Sequence, residues 1–253
     1  MKVSDVIRIG NKIDIRVLQE VEQAEKTDGS VKTYKSQVLD FRSNGNIEIA
    51  MPMEAGKLAL LQLGVRYELV FFTKDSLYRA VGQVKERYKK DNIYMLEMEL
   101  KSQPEKFQRR EFFRYPCLMD FKFYQLTEEQ AMLDSVEEIF AEIRDENFYE
   151  KEQKGKIMDL SGGGIRFSTG QEQKQGTWIL VELQLKSQTM DNQYYIVANV
   201  IETSKIEAAA EYKFMSRAKF SIKNDRVREE IIRYIFEEER RMRQQNSSER
   251  IRK

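Results

Sequence analysis

Two short clusters hold the residues best suited to chemistry. Arg109, Arg110 and Arg114 fall in the run Arg109-Arg110-Glu111-Phe112-Phe113-Arg114. A guanidinium is a rigid fork of donors that fits phosphate oxygens and the O6/N7 edge of guanine, and its plane stacks on a base. The second cluster is Asp159-Leu160-Ser161-Gly162-Gly163-Gly164. Asp159 can accept paired hydrogen bonds from the N1 and N2 donors of a guanine, and Ser161 can donate to a phosphate or accept from a base. Consecutive glycines permit positive φ and close approach of backbone N–H groups to an anion. Each cluster also has a plainer reading. The arginines can form a solvated basic linker, and the glycines a β-turn held by an Asp–Ser hydrogen bond. The glycine run is not a Walker loop, because no Gly-Lys-Ser/Thr follows it. Nor is it a dinucleotide fingerprint, because a strand rather than a helix follows.

Composition narrows the chemistry. The 253 residues include 43 Lys and Arg, 42 Asp and Glu, one cysteine and no histidine, for a net charge of +1. Without histidine there is no Ser-His-Asp or Cys-His nucleophile, no two-His zinc motif and no ordinary general base. No carboxylate pair is singled out, so no catalytic residue, metal or cofactor is expected. Cys117 alone permits neither an internal disulfide nor a thiolate-clustered metal, which suits a reducing, cytoplasmic compartment. The N-terminus lacks the apolar core of a signal peptide, and no apolar run reaches the ~18 residues of a membrane span. A chain balanced in charge has no whole-molecule field to draw it to DNA or anionic lipid.

The elements that must position these clusters read as strands. Ile13, Ile15 and Val17 alternate with Lys12, Asp14 and Arg16; Ile47, Ile49 and Met51 repeat the pattern, Tyr67, Leu69 and Phe71 follow, and Tyr94, Leu96, Met98 and Leu100 alternate with Met95, Glu97 and Glu99. Such alternation means one buried face and one wet face. With hairpin-type turns at Asp28-Gly29 and Asn44-Gly45, it predicts a small antiparallel barrel. A basic, aromatic stretch bounded by Pro104 and Pro116 reads as a linker. Beyond it, short strands flank the glycines at Lys156–Met158 and Ile165–Ser168. Further strands run through Ile179–Leu185, Tyr195–Ile201 and Tyr212–Phe220. A helix closes the domain, with Asn224 or Asp225 as its N-cap and Val227, Ile231, Tyr234 and Ile235 as its apolar stripe. Residues 127–150 read as a helical insertion. Thr127 and Gln130 have capping-box spacing, and Met132, Val136, Ile139, Phe140 and Ile143 share a face. That stripe packs on its own barrel or, alternatively, forms a homodimer or partner surface.

Taken together, Arg110-x-x-x-Arg114 and Asp159-x-Ser161-x-x-Gly164 resemble the signature of PilZ domains, which bind cyclic di-GMP. The first hundred residues and the Gln108-Arg109-Arg110 run resemble the N-terminal barrel of the flagellar-brake type of PilZ protein. The insertion at 127–150 departs from that pattern. The resemblance implies a mainly β chain of two small antiparallel barrels in tandem. Residues 1–103 are the N-terminal barrel and 104–114 the arginine linker. Residues 115–243 are the PilZ barrel with its closing helix, and 244–253 a disordered basic tail. It also implies a ligand site of Arg109, Arg110, Arg114, Asp159, Ser161, Gly163 and Gly164. Arg110 and Arg114 bond phosphate and guanine edges, Asp159 and Ser161 read a guanine, and Gly163 and Gly164 admit the backbone. Arg109 is expected to help hold a second, stacked cyclic di-GMP. The linker is expected to be mobile until ligand neutralises its charges, after which domain orientation changes for a protein partner such as the flagellar motor or switch. The rival reading is a single-stranded nucleic-acid-binding barrel, but near-zero net charge argues against a polymer.

Overall fold

The alternating apolar residues become the inner faces of two sheets, each closed on itself. The computed structural model describes residues 3–27, 31–143, 151–207 and 212–251. The chain divides into two units, Met1–Arg109 and Arg110–Lys253.

The first unit contains α1 (Val3–Val6), β1 (Lys12–Val17), α2 (Leu18–Thr27), β2 (Tyr34–Phe41), β3 (Ile47–Ala50), β4 (Met53–Glu54), β5 (Lys57–Leu58), β6 (Arg66–Phe72), β7 (Leu77–Lys90), β8 (Ile93–Leu100) and β9 (Glu105–Phe107). Its strands follow the order β6-β1-β2-β3-β8-β7, and pairing of β6 with β7 closes the ring. Ile13, Ile15, Ile47, Ile49, Leu69, Phe71 and Met98 lie fully buried inside it. At the Asn44-Gly45 turn, Arg42 N–H reaches Asn46 O at 2.8 Å, and Gly45 takes a φ of +86°. The Asp28-Gly29 turn lies outside the described residues.

Two elements here differ from the sequence reading. Residues 18–27 form α2, because a run rich in Glu and Gln, with Leu18 and Ala24, favours helix and Val21 anchors it by burial. Part of the expected linker is β9, which pairs with the first residues of β7. Arg79 secures it, meeting Glu105 at 2.8 Å and lying 4.9 Å from the Phe107 ring centroid.

The second unit contains β10 (Tyr115–Leu126), α3 (Glu128–Met132), α4 (Val136–Glu142), β11 (Gln153–Ser161), β12 (Gly164–Thr169), β13 (Trp178–Lys186), β14 (Asp191–Lys205), β15 (Phe214–Phe220) and α5 (Asp225–Ile251). Its barrel order is β10-β11-β12-β15-β14-β13, again closed and antiparallel. Phe121, Phe123 and Phe167 pack ring against ring at its centre, with centroids 5.3–5.8 Å apart. Helix α5 adds Ile231, Tyr234 and Ile235 to that core. Asn224 caps it, its Oδ1 accepting from Arg226 N–H at 3.0 Å. The sequence reading ends this helix near Arg243, but it runs on to Ile251, since residues 244–251 contain neither Gly nor Pro to stop it.

Among its described residues the insertion forms two short helices. Thr127 and Gln130 make the full capping box before α3: Gln130 N–H reaches Thr127 Oγ1 at 3.2 Å, and Thr127 N–H reaches Gln130 Oε1 at 3.0 Å. Ser135 starts α4, its Oγ accepting from Glu138 N–H at 3.2 Å. Ile139 and Ile143 bury against Tyr124, Leu126, Leu180 and Val197 on the outside of the barrel. Ile139, Phe140 and Ile143 of the apolar stripe therefore pack on their own barrel, whereas Met132 is 54% exposed. Residues 144–150 of the insertion lie outside the described residues. Among the described residues, no helix is long and apolar enough to cross a membrane.

Candidate nucleotide-binding site

Strand pairing in the second unit brings the two motif halves side by side. Tyr115 stands opposite Leu160 and Pro116 opposite Asp159, so Arg114 directly precedes the first paired residue of β10, at the end of the ladder where β11 closes with Ser161. Strands β11 and β12 form a hairpin whose last pair is Ser161 with Gly164, leaving Gly162 and Gly163 as the turn. Arg110 and Arg114 are both exposed, on the irregular stretch that leads into β10.

A bulge aims Asp159 outward. Ile157 and Leu160 both belong to the barrel core, yet they are three residues apart, and strict alternation would put Ile157 and Asp159 on the same, inner face. The register shifts between Ile157 and Asp159 on the β12 side, and across Pro116 to Met119 on the β10 side. The extra residue, Met158, turns the strand so that Leu160 points in and Asp159 reaches the outer face, the common work of a bulge beside a site. There Asp159 meets its cross-strand neighbour Arg166, with Nε to Oδ2 at 2.5 Å.

The glycine turn is held from several sides. Gly162 O accepts from Arg228 Nη1 at 3.0 Å, Gly163 O from Phe220 N–H at 3.0 Å, and Gly164 O from the Ser161 hydroxyl at 3.0 Å. With these carbonyls engaged, the turn presents less lone-pair repulsion to an approaching anion. Gly164 has a φ of +156°, and a Cβ there would stand 2.1 Å from the Ala218 carbonyl oxygen. Only glycine fits both constraints. Gly162 and Gly163 are covered by the Phe112 ring, whose Cδ1 and Cδ2 would lie 2.8 and 2.9 Å from the added Cβ atoms. Beside the turn, Glu111, Phe112, Gly163, Lys219, Phe220, Asp225 and Arg228 line a surface pocket of about 620 Å³.

Of the sequence-derived candidates, Arg110, Arg114, Asp159, Ser161, Gly163 and Gly164 all belong to the second unit. Arg109 is the last residue of the first unit. It groups with the first barrel, 3.5 Å from Asp14 and with its guanidinium 5.1 Å from the Phe72 ring centroid. The stretch expected to be loose is thus fastened near both ends, by Arg109 on the first unit and by Phe112 on the second. Cys117, on the β10 side of the bulge, has its thiol pushed up to about 12 by burial, with the Asp159 charge adding to the effect. Among the described residues, no cluster of carboxylates and thiols converges as a metal site would require.

Sequence reasoning does not single out Arg166, Lys219 or Arg228, and it gives Phe112 no role of its own. Arg166 carries a signal: a two-residue turn after Ser161 fixes a register that places it opposite Asp159. Arg228 carries none, since its approach depends on where α5 docks.

Residues 108–237 match the PilZ domain model. The chain belongs to the PilZ family. Residues 8–100 match the PilZNR model, described as flagellar protein YcgR, so the first barrel is the N-terminal domain that accompanies such PilZ domains. Among solved structures, the Bacillus subtilis inhibitor of motility MotI/DgrA shares the fold of this PilZ chain, with a TM-score of 0.64 at 19% identity over 95% of this chain and 99% of that one. Escherichia coli YcgR in complex with c-di-GMP aligns over 94% of this chain and 88% of that one, at 14% identity and a TM-score of 0.45. The K. pneumonia MrkH–c-di-GMP complex aligns over 89% and 85%, at 12% identity and 0.36. No curated protein sequence matches the chain.

Proposed function

We propose that this PilZ protein is a receptor for cyclic di-GMP that works by binding alone and passes the signal to a protein partner. One observation supports the reading: Tyr115, the residue after Arg114, pairs with Leu160 between Asp159 and Ser161, and the register shift at Met158 accompanies an outward Asp159. Arg110 and Arg114 supply donor forks for phosphate and guanine edges. Asp159 accepts from the guanine N1 and N2 donors, releasing Arg166 or sharing it, and Ser161, Gly163 and Gly164 form the close backbone surface. Hydrogen bonds to charged groups contribute about 1.5–3 kcal/mol each. A handful of them, after ordering costs, reaches the ~8 kcal/mol of micromolar binding.

The output follows from the position of the arginines. Residues 105–109 are fastened to the first barrel by β9, Arg79 and Arg109, and Phe112 is fastened to the second. Ligand that draws Arg110 and Arg114 together changes how the barrels are oriented, a ligand-biased two-state element. Arg109 can leave Asp14 to meet a second stacked cyclic di-GMP. The flagellar description of the first barrel's family directs the output to motility, through the flagellar motor or its switch, in the cytoplasm. Titration calorimetry with cyclic di-GMP on wild type and Arg110→Ala tests the site: loss in the variant is expected, and equal binding by both refutes it. Small-angle scattering tests reorientation, which identical profiles with and without saturating ligand would refute.

A further inference from the structure

Phe112 occupies a place built for a flat ring. The ring lies against the bare backbone of Gly162 and Gly163, with its Cδ1 nearest the first and its Cδ2 nearest the second, close enough that a Cβ on either would fall under 3.0 Å from it; Ile232 flanks it on the Gly162 side. On the helix side, the Arg228 guanidinium stands 5.4 Å from the Phe112 centroid, within cation–π range. Arg228 is itself positioned from two directions. Its Nη1 donates to Gly162 O at 3.0 Å, and its Nε lies 3.8 Å from Asp225. Its side chain is 25% exposed, so the stacking face is largely withdrawn from water. The slot opens on the pocket of about 620 Å³ that Lys219 also lines. Lys219 stands opposite Gly164 in the ladder, at the foot of the turn.

A planar slot with a glycine floor, a guanidinium wall and a lysine at its mouth suits an aromatic base carrying a phosphate. A guanine has the thickness of a phenyl ring. It stacks on a guanidinium as Phe112 does, and it adds O6 and N7 acceptors that a phenyl lacks. We propose that Arg228 is a further binding residue of the cyclic di-GMP site, and that Phe112 is the protein's own stand-in for a guanine, which the ligand must displace. This rests on the reading of the site as a cyclic di-GMP receptor. Phe112 also lies between Arg110 and Arg114, so its departure frees the segment that carries both arginines. Ligand entry and release of the arginine segment become one event.

The two residues then act with opposite sign. Arg228→Ala removes a ligand contact and weakens binding. Phe112→Ala removes a competitor and tightens it, because apparent affinity rises with the fraction of chains whose slot is open. The stacked ring is held by a cation–π contact and partial burial, which translates to roughly fivefold to tenfold in affinity.

The experiment is a double-mutant cycle on the full chain, with cyclic di-GMP affinity and melting temperature measured for wild type, Phe112→Ala, Arg228→Ala and the double variant. Phe112→Ala is expected to bind about five to ten times more tightly. Arg228→Ala is expected to bind about ten times more weakly, whether Phe112 is present or already replaced. If Arg228 merely steadies Phe112, its loss has no effect once Phe112 is gone, and that result overturns the proposal. Weaker binding by Phe112→Ala at an unchanged melting temperature overturns it too, since the ring would then be an anchor. Arg228→Lys keeps the charge but not the stacking plane, and is expected to recover less than half of the lost free energy. Full recovery would reduce Arg228 to a plain charge and refute the slot. Wild type that fails to bind at all is a separate result: it refutes the receptor reading itself.

Discussion

The three glycines of the turn differ in what they can tolerate, and Gly164→Ala is the sharpest perturbation of the motif. Its Cβ would stand 2.1 Å from the Ala218 carbonyl oxygen and 3.2 Å from Lys219 Cα, both backbone atoms of β15. Neither can swing aside without breaking the β12–β15 ladder, in which Gly164 faces Lys219. The φ of +156° adds strain for any L residue. Backbone strain of this kind costs about 1–3 kcal/mol, and overpacking a tight site about as much again. A total near 3 kcal/mol lowers the melting temperature of a domain this size by roughly 10 °C. Differential scanning calorimetry of the full chain is the assay, and only the second barrel's transition is expected to move. Gly45→Ala is the control, since nothing lies within 4 Å of its Cβ and only its φ of +86° resists. A Gly164→Ala protein whose transition stays within about 2 °C of wild type would refute the argument that backbone contact makes this glycine obligatory.

Two further outcomes test the barrel around the site. Ile139 is 1% exposed in the cluster that seats the insertion, so Ile139→Ala is expected to cost about 3 kcal/mol in chemical denaturation; a change under ~0.5 kcal/mol would mean that the insertion is not packed there. The Cys117 thiol is held at about 12 in the fold, against an ordinary value of 9.0. Between those values the unfolded chain binds fewer protons than the folded one, so this group makes stability fall as pH rises from about 9 towards 12. Cys117→Ser is expected to flatten that slope, and native protein at about pH 8 should resist a thiol reagent until denatured. Rapid labelling of the native state at that pH would contradict the raised thiol.

Much of this architecture is legible in the residues because one face of each strand is buried. Ile13 and Ile15, or Leu69 and Phe71, announce their strands by alternation, and Thr127 with Gln130 announces a helix start by its reciprocal bonds. What is not legible depends on tertiary context. Residues 105–107 have too little pattern to declare a strand, and become one only because the first residues of β7 offer a partner and Arg79 a clamp. The bulge at Met158 follows from two core residues at odd spacing, Ile157 and Leu160, a signal that local alternation hides. Of the seven candidate ligand residues, six belong to the second unit, whereas Arg109 pairs within the first. The spacing of an arginine run cannot say to which barrel each member turns. Arg228 lies more than a hundred residues from Arg110, and nothing in its surroundings along the chain marks it.

The central claim is that the arginine segment and the Asp159 hairpin form one site for one ligand. Titration calorimetry of wild type, Arg114→Ala and Asp159→Asn with cyclic di-GMP, each checked for an unchanged melting temperature, tests it most directly. Saturable binding at about 1 µM or tighter is expected for wild type, with each variant weakened at least about tenfold. Wild type that releases no heat and shows no binding, or either variant binding as well as wild type, would contradict it.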